Sequence, residues 1–299
     1  LSSGNAVASN RLSSYYSDSA SYDEKIGGMD YYWFLSDTLN SFDDNSANII
    51  SNLNRVYNEL FNVNGLLISF TGDLSEFEYF KAQLKPLIKA LPSNKLKKVQ
   101  HNFEKTKLNE GIASSSNVQF VGKGANFTEL GHTYNGSMFV MSTLLNSEYL
   151  HDNVRAKGGA YGCGLSINNN GNLTVTSYRD PNLTDTFDVY DNIPAFLDKF
   201  DLNDDDVFKF VIGAISKIDS AKTPSTLGKI AFIDYITGRT LEDKKKMRRE
   251  ILNTKSSDIR SHSKMIANVM AANYRCVLGN DKIINNNSDA FLNIVKLNK

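Results

Sequence analysis

Two side chains in this sequence are of the types that hold and polarise a carbonyl oxygen. Arg155 and Tyr161 lie six positions apart in residues 154–181, VRAKGGAYGCGLSINNNGNLTVTSYRDP. A guanidinium offers a forked, permanently charged donor pair and a phenol offers one O–H donor. Such donors stabilise the oxyanion that forms when a carbonyl is attacked. Gly158, Gly159, Gly162 and Gly164 bracket the tyrosine. Glycine allows a backbone to turn through positive φ, and it lets another molecule come close. Plainer roles are also open. Arg155 suits a helix C-terminus, whose dipole favours a positive charge. Tyr161 could be a core aromatic, and the glycines a helix cap and a bulge.

Other reactive constellations are weak. The histidines are His101, His132, His151 and His262. The nearest approach to a two-histidine, one-glutamate zinc motif is His101-Asn102-Phe103-Glu104-Lys105, where Lys105 replaces the second ligand with a repelling charge. No metal site is therefore expected within this chain, and His151 reads as a helix-surface or domain-contact residue. Cys163 alternates with apolar residues and has no neighbouring histidine, so it reads as a small core residue. Cys276 is too distant in sequence to form a disulfide framework or a metal spacing with it. Unpaired thiols suit a reducing, intracellular compartment (cytoplasm or organelle matrix) without fixing which. The glycines of VGKGAN, residues 121–126, lack phosphate-loop spacing. Asp180 reads as a cap on the turn that follows it, or as a partner of Arg179.

The elements that must position Arg155 and Tyr161 are legible from periodicity. A helix from Gly136 carries Met138, Met141, Leu144 and Leu145 inward and ends near Arg155. Tyr161, Cys163, Leu165 and Ile167 alternate into a strand. An Asn-Asn-Gly turn follows, and Leu173, Val175 and Ser177 return. Further helices are expected over residues 185–200, from Asn203, within 222–253, and from Ser256 or Ser257 to Met270. A last strand at 274–278 is followed by a short terminal helix. Earlier in the chain, helices are expected over 5–16, from Met29, over 47–61 and over 74–91. Residues 65–73, GLLISFTGD, read as a buried strand. The architecture is α+β: antiparallel sheet with helices packed on one face.

The Arg-x-x-GGAYG string, with SYRDP further on, resembles the pitrilysin/insulinase family of zinc metallopeptidases. Within it the likeness is to the presequence-protease branch, which includes mitochondrial presequence proteases and falcilysin. The resemblance implies two pitrilysin-like repeat domains from a C-terminal half: 1–92 as an N-terminally truncated third repeat, 93–115 as linker, 116–299 as the fourth repeat. Asn5 stands where many members carry His. The resemblance further implies that Tyr161 donates to the scissile carbonyl or transition state, and that Arg155, beside Gly158 and Gly159, binds substrate carbonyls. The zinc, its ligands and the catalytic base would belong to the N-terminal half of the same polypeptide. The implied activity is degradation of short, unstructured peptides in a closed chamber, and this chain alone would be inactive. Rival readings are a non-catalytic subunit of a heteromeric peptidase and a structural core-subunit-like protein. The absence of an initiator Met and of opening strands speaks against both.

Composition excludes several other classes. The chain has 299 residues, enough for two domains each burying a core. Thirty-three basic and 33 acidic residues balance, so no global field favours nucleic acid. The basic-rich run from Asp243 to Arg249 lacks interleaved aromatics and reads as a solvated helix face. No apolar run reaches the roughly 18 residues of a membrane span, so no membrane partner is expected.

Overall fold

The computed structural model describes residues 3–95, 99–103 and 109–297. Contacts divide the chain into two compact units, one of residues 1–33, 103–219 and 245–299, the other of residues 34–102 and 220–244.

The first unit is built on a six-stranded sheet in the order β3-β4-β2-β5-β1-β6. Its strands are β1 (Asn109–Ser114), β2 (Phe120–Asn126), β3 (Gly162–Ile167), β4 (Asn172–Tyr178), β5 (Tyr274–Asn280) and β6 (Asn293–Lys296). Four neighbours, β3 to β5, run antiparallel, but β1 is parallel to both β5 and β6. The sheet is therefore mixed, not antiparallel throughout. Parallel neighbours need a crossover. Helix Asp281–Asn286 supplies one between β5 and β6, which flank β1.

Strand alternation sorts the apolar residues to two faces. Val121, Leu165, Ile167, Leu173, Val175 and Val277 share one core with the main helical layer. That layer includes Ser137–Leu144, Thr184–Asp191, Ile193–Asp198 and Ser263–Ala272. Ile112, Cys276 and Leu278 instead pack with Ala8, Leu12, Tyr15 and Tyr16 of and just after helix α1 (Gly4–Ser14). Helices thus cover both faces, correcting the expectation of one. The glycines of VGKGAN serve this packing: a Cβ on Gly122 would sit 3.1 Å from Leu12 Cδ2. A buried polar network fastens α1 to β1. Arg11 Nε donates to Glu110 Oε2 at 2.6 Å, Tyr15 Oη donates to the same oxygen at 2.6 Å, and Arg11 Nη1 reaches Glu24 and Asp30. Burial would raise the Glu110 carboxyl, but the Arg11 hydrogen bond and charge hold it below the usual carboxylate range. Glu24 is pushed up by burial, with Arg11 opposing.

Several local expectations change. The helix expected over 185–200 breaks at Asn192, because Pro194 lacks an N–H and its ring clashes with the preceding turn. The segment expected as a polar linker contains β1, which the sheet pairs on both edges; residues 96–98 and 104–108 of that segment lie outside the described residues. The expected terminal helix is replaced by β6, because β1 offers it an open edge. The helix expected from Ser256 or Ser257 to Met270 is interrupted at His262.

His262 lies within 2.8 Å of Ser137 Oγ, and burial pulls its pKa down from 6.5 to about 4. The folded protein keeps this imidazole neutral while the unfolded chain protonates it. The unfolded state therefore binds more protons between pH 6.5 and 4. Stability is expected to fall by roughly 2–3 kcal/mol as pH drops through that window. Urea titrations at several pH values check this, and His262→Gln should remove the contribution.

In the second unit, helices Phe42–Leu60, Leu74–Ala90 and Pro224–Thr237 form as single elements. The Leu74–Ala90 helix begins with a capping box, Asp73 accepting from Glu76 N and Glu76 reaching back to Asp73 N. The stripe Ile50, Leu53, Val56, Tyr57 and Leu60 is exposed. The expected strand over residues 65–73 does not form, and Leu66, Leu67 and Ile68 are exposed. A strand needs a neighbour for its backbone groups, and among the described residues of this unit there is none.

Candidate functional site

Arg155 is delivered by an unusual helix. Ser137–Leu144 is α-helical and runs on into a π-helix, Leu145–Lys157. Wide turns of this kind are rare and concentrate at functional sites. The helix C-terminus is well closed: Gly158 N donates to Asn153 O, Gly159 N to Arg155 O, and Ala160 N to Val154 O, all at 3.0–3.1 Å. These bonds satisfy carbonyls that a helix end leaves without partners. Gly159 has φ +82°, the left-handed region where a side chain is strained. Gly159→Ala is expected to cost about 1–2 kcal/mol, read from the urea midpoint, and to shift the turn that sets Tyr161.

After the turn, buried Ala160 anchors the chain, and Tyr161 N donates to Tyr178 O at 3.1 Å, starting the β3–β4 pairing. Two further clamps hold this geometry. The Asn146 carboxamide pairs with β3, Nδ2 donating to Leu165 O at 3.0 Å and Oδ1 accepting from Leu165 N at 2.6 Å. It binds the π-helix to the sheet's edge strand as a neighbouring strand would. Asn182 Nδ2 donates to Gly158 O at 2.6 Å. Asn182 is itself placed by Asp180, which is fully buried and accepts from Asn182 N and from Thr186 Oγ1. Asp180 therefore caps the turn.

Tyr161 is 68% exposed, so it is no core aromatic. Its ring meets Tyr178 edge-on at 5.8 Å, and Tyr178 in turn meets Phe120 at 5.5 Å. Arg155 is exposed, with its guanidinium carbon 6.0 Å from the Tyr161 ring centroid. Among the described residues neither the Tyr161 hydroxyl nor the Arg155 guanidinium has a hydrogen-bond partner. Gly162 and Gly164 leave a bare strip beside them, since a Cβ at either position would meet nothing closer than 3.7 Å. The arrangement is a rigid mount presenting two unengaged donors above an uncluttered strand, suited to gripping carbonyl oxygens.

The other sequence candidates are dispersed. Cys163 is half-buried, and burial pushes its thiol up to about 11 despite Arg155 nearby; fully buried Cys276 is pushed up to about 12. Both are unpaired thiols without thiolate character. His132 meets Asn268 at 2.9 Å, and exposed His151 lies 3.3 Å from Asp152. His101 is exposed, while Glu104 and Lys105 of the near-motif lie outside the described residues. Among the described residues no three His, Cys, Asp or Glu side chains gather to hold a metal. No described helix is long and apolar enough to cross a membrane. Sequence reasoning missed Asn146, Asn182 and Tyr178 as the parts that hold the site. Only the strand register, which sets Tyr178 opposite Gly162, points to Tyr178.

Residues 109–279, more than half of the chain, match the PreP C-terminal domain. The chain belongs to this presequence-protease family. Protein HypA of Clostridium perfringens (strain 13 / Type A) is 39% identical over 292 residues, covering 98% of this chain and 30% of that protein. Presequence protease 1, chloroplastic/mitochondrial, of Arabidopsis thaliana is 31% identical over 269 residues, 88% of this chain and 25% of that protein. The chain thus spans less than a third of the length of these relatives. A protease from Helicobacter pylori superposes with a TM-score of 0.51 at 15% identity, covering 70% of this chain and 53% of that one, which shows a shared fold. The chain is related to the C-terminal part of pitrilysin-type peptidases.

Proposed function

We propose that this chain is the substrate-clamping C-terminal part of a zinc metalloendopeptidase that degrades short, unstructured peptides in a closed chamber. The zinc, its ligands and the base that activates water belong, on this reading, to the N-terminal half of the same polypeptide. Zinc would supply an activated water and a Lewis acid. This chain supplies two donors: Tyr161 gives an O–H bond to the oxyanion at the scissile carbonyl, and Arg155 holds a carbonyl of the bound peptide. Gly158 and Gly159 form the turn that spaces them. The observation that carries the reading is the rigid, exposed juxtaposition of Arg155 and Tyr161, with neither polar end engaged by the protein. A purely structural protein has no use for a clamped turn that holds two unengaged donors outward. The family relationship supports peptide substrates, and the compartment we favour is intracellular.

Purified residues 1–299 are expected to show no zinc-dependent cleavage of a fluorogenic peptide. Mixed with the separately expressed remainder of the polypeptide, they should restore turnover that a chelator abolishes. Zinc-dependent turnover by residues 1–299 alone would sink the division of labour proposed here.

A further inference from the structure

The sheet ends at β3, which has β4 on one side and, among the described residues, no strand on the other. In an antiparallel ladder, opposed residues alternate between pairs that exchange hydrogen bonds and pairs that do not. Asn168 N donates to Asn172 O at 2.9 Å, one register step past the Ile167–Leu173 pair. Ser166, Gly164 and Gly162 therefore turn their backbone groups toward β4, while Ile167, Leu165 and Cys163 turn theirs outward. The contacts of Leu165 agree. Asn146, on the π-helix, takes both of its backbone groups, Oδ1 accepting from the N–H and Nδ2 donating to the carbonyl.

Two positions along, Cys163 turns its N–H and C=O to the same outer side, and among the described residues neither meets a partner there. This stretch of backbone is open to solvent. Cys163 is half-buried, and Gly162 and Gly164 beside it, whose only surface is backbone, are also partly exposed. Unpaired backbone on an edge strand is a template for a further strand. Peptide-binding domains use such edges, and the main-chain hydrogen bonds supply affinity. The template here is short. Asn146 closes the edge at Leu165, and on the other side of Cys163 stands Tyr161, with Arg155 against its ring. Two residues of extended chain span roughly 7 Å. An extended peptide held at Cys163 therefore brings another of its residues level with the Arg155–Tyr161 pair.

We propose that the bound peptide lies as a short added strand on the outer edge of β3. One of its residues donates its N–H to Cys163 O and accepts from Cys163 N, and Asn146 stops the pairing there. The proposal rests on the reading of Arg155 and Tyr161 as a peptide clamp, and it adds the register. The residue paired with Cys163 lies two positions from the one whose carbonyl Tyr161 polarises. Main-chain bonds of this kind carry no side-chain preference. They need an extended segment with free N–H and C=O groups, which an unstructured peptide offers and a helix or a paired strand does not.

Cys163 and Cys276 are the only cysteines, so labelling cysteine alone with heavy nitrogen gives one backbone amide signal at the site and one control. Cys276 lies in β5, paired on both sides by β1 and β2. The 299-residue chain is titrated with a blocked hexapeptide of mixed sequence, acetyl-AFATAK-amide, and followed by amide NMR. The Cys163 amide should shift saturably and its hydrogen exchange should slow about tenfold or more, with Cys276 unmoved. In a leucine-labelled sample the Leu165 amide, held by Asn146, should exchange slowly with and without peptide. Methylating the peptide nitrogens one at a time should weaken binding about two- to tenfold at the position that donates to Cys163 O, the scale of one hydrogen bond, and not at its two neighbours. Saturable binding that Arg155→Gln weakens, with the Cys163 amide neither shifted nor protected, would overturn the edge pairing and leave the clamp standing. Protection of Cys163 that persists unchanged in Arg155→Gln and Tyr161→Phe would support the edge pairing and defeat the clamp. Absence of saturable binding at millimolar peptide would overturn both.

Discussion

In the complete peptidase proposed above, Tyr161→Phe is expected to lower kcat about a hundredfold, the scale set by loss of one oxyanion donor. KM should change little, because the phenol acts where charge develops and not where the ground-state peptide is held. Folding stability should also change little: the Tyr161 ring is 68% exposed and its hydroxyl makes no hydrogen bond to the described protein. The ring contact with Tyr178 survives in the phenylalanine variant. Loss of turnover without loss of stability separates a catalytic donor from a structural aromatic. Arg155→Gln should instead raise KM, since its charge is assigned to holding substrate. The measurement is steady-state kinetics on a fluorogenic peptide, with urea unfolding of each variant. Turnover by Tyr161→Phe within about twofold of the parent, far short of a donor's usual contribution, would defeat the assignment.

Arg11→Met is expected to destabilise the first unit by about 3–5 kcal/mol, the cost of breaking a buried ion pair by removing one partner. The Glu110 side chain is 2% exposed and Glu24 3%, and Arg11 is their shared cation. Without it, Glu110 keeps Tyr15 and Asn293 as donors, which satisfy hydrogen bonding but do not neutralise its charge. The sign of the pH response should then reverse. In the parent the Glu110 carboxyl is lowered on folding, so its contribution is present above the unfolded pKa and lost as pH falls through the folded value. In Arg11→Met burial acts on Glu110 without that compensation and raises its pKa, so the variant should regain stability as pH falls. Arg11→Met combined with Glu110→Gln should recover much of the loss at neutral pH, since no uncompensated charge then remains at that position. Urea unfolding at neutral and mildly acidic pH reads all three outcomes; a single variant within about 1 kcal/mol of the parent would show the network contributes no more than an exposed pair.

Much of the site was legible in the sequence because its signals are local. Gly158-Gly159 after a helical run marks a helix end, and the alternation around Cys163 and Leu165 marks a strand. Asn-Asn-Gly marks the hairpin turn. Local geometry of this kind follows from backbone sterics and the hydrophobic period, both of which act over a few residues. The helices were legible for the same reason, and so was the break that Pro194 imposes, although the sequence reading passed over it.

What the tertiary structure alone decided are the pairings between distant segments. Nothing around the polar stretch before Asn117 announces that residues 109–114 lie between β5 and β6, because a strand buried by its neighbours needs no alternation of its own. Helix α1 covers the second face of the sheet through a contact of Leu12 at Gly122, over a hundred residues away. Asn146 reaches the Leu165 backbone and Asn182 reaches Gly158, yet single asparagines in an Asn-rich chain carry no pattern. Residues 65–73 make the converse point. Their apolar run has the composition of a strand, but a strand exists only where another backbone accepts its hydrogen bonds. Arg155 and Tyr161 were named by the resemblance that the Arg-x-x-GGAYG string carries; their exposure and their open polar ends follow from packing, which decides what the rest of the protein leaves unengaged.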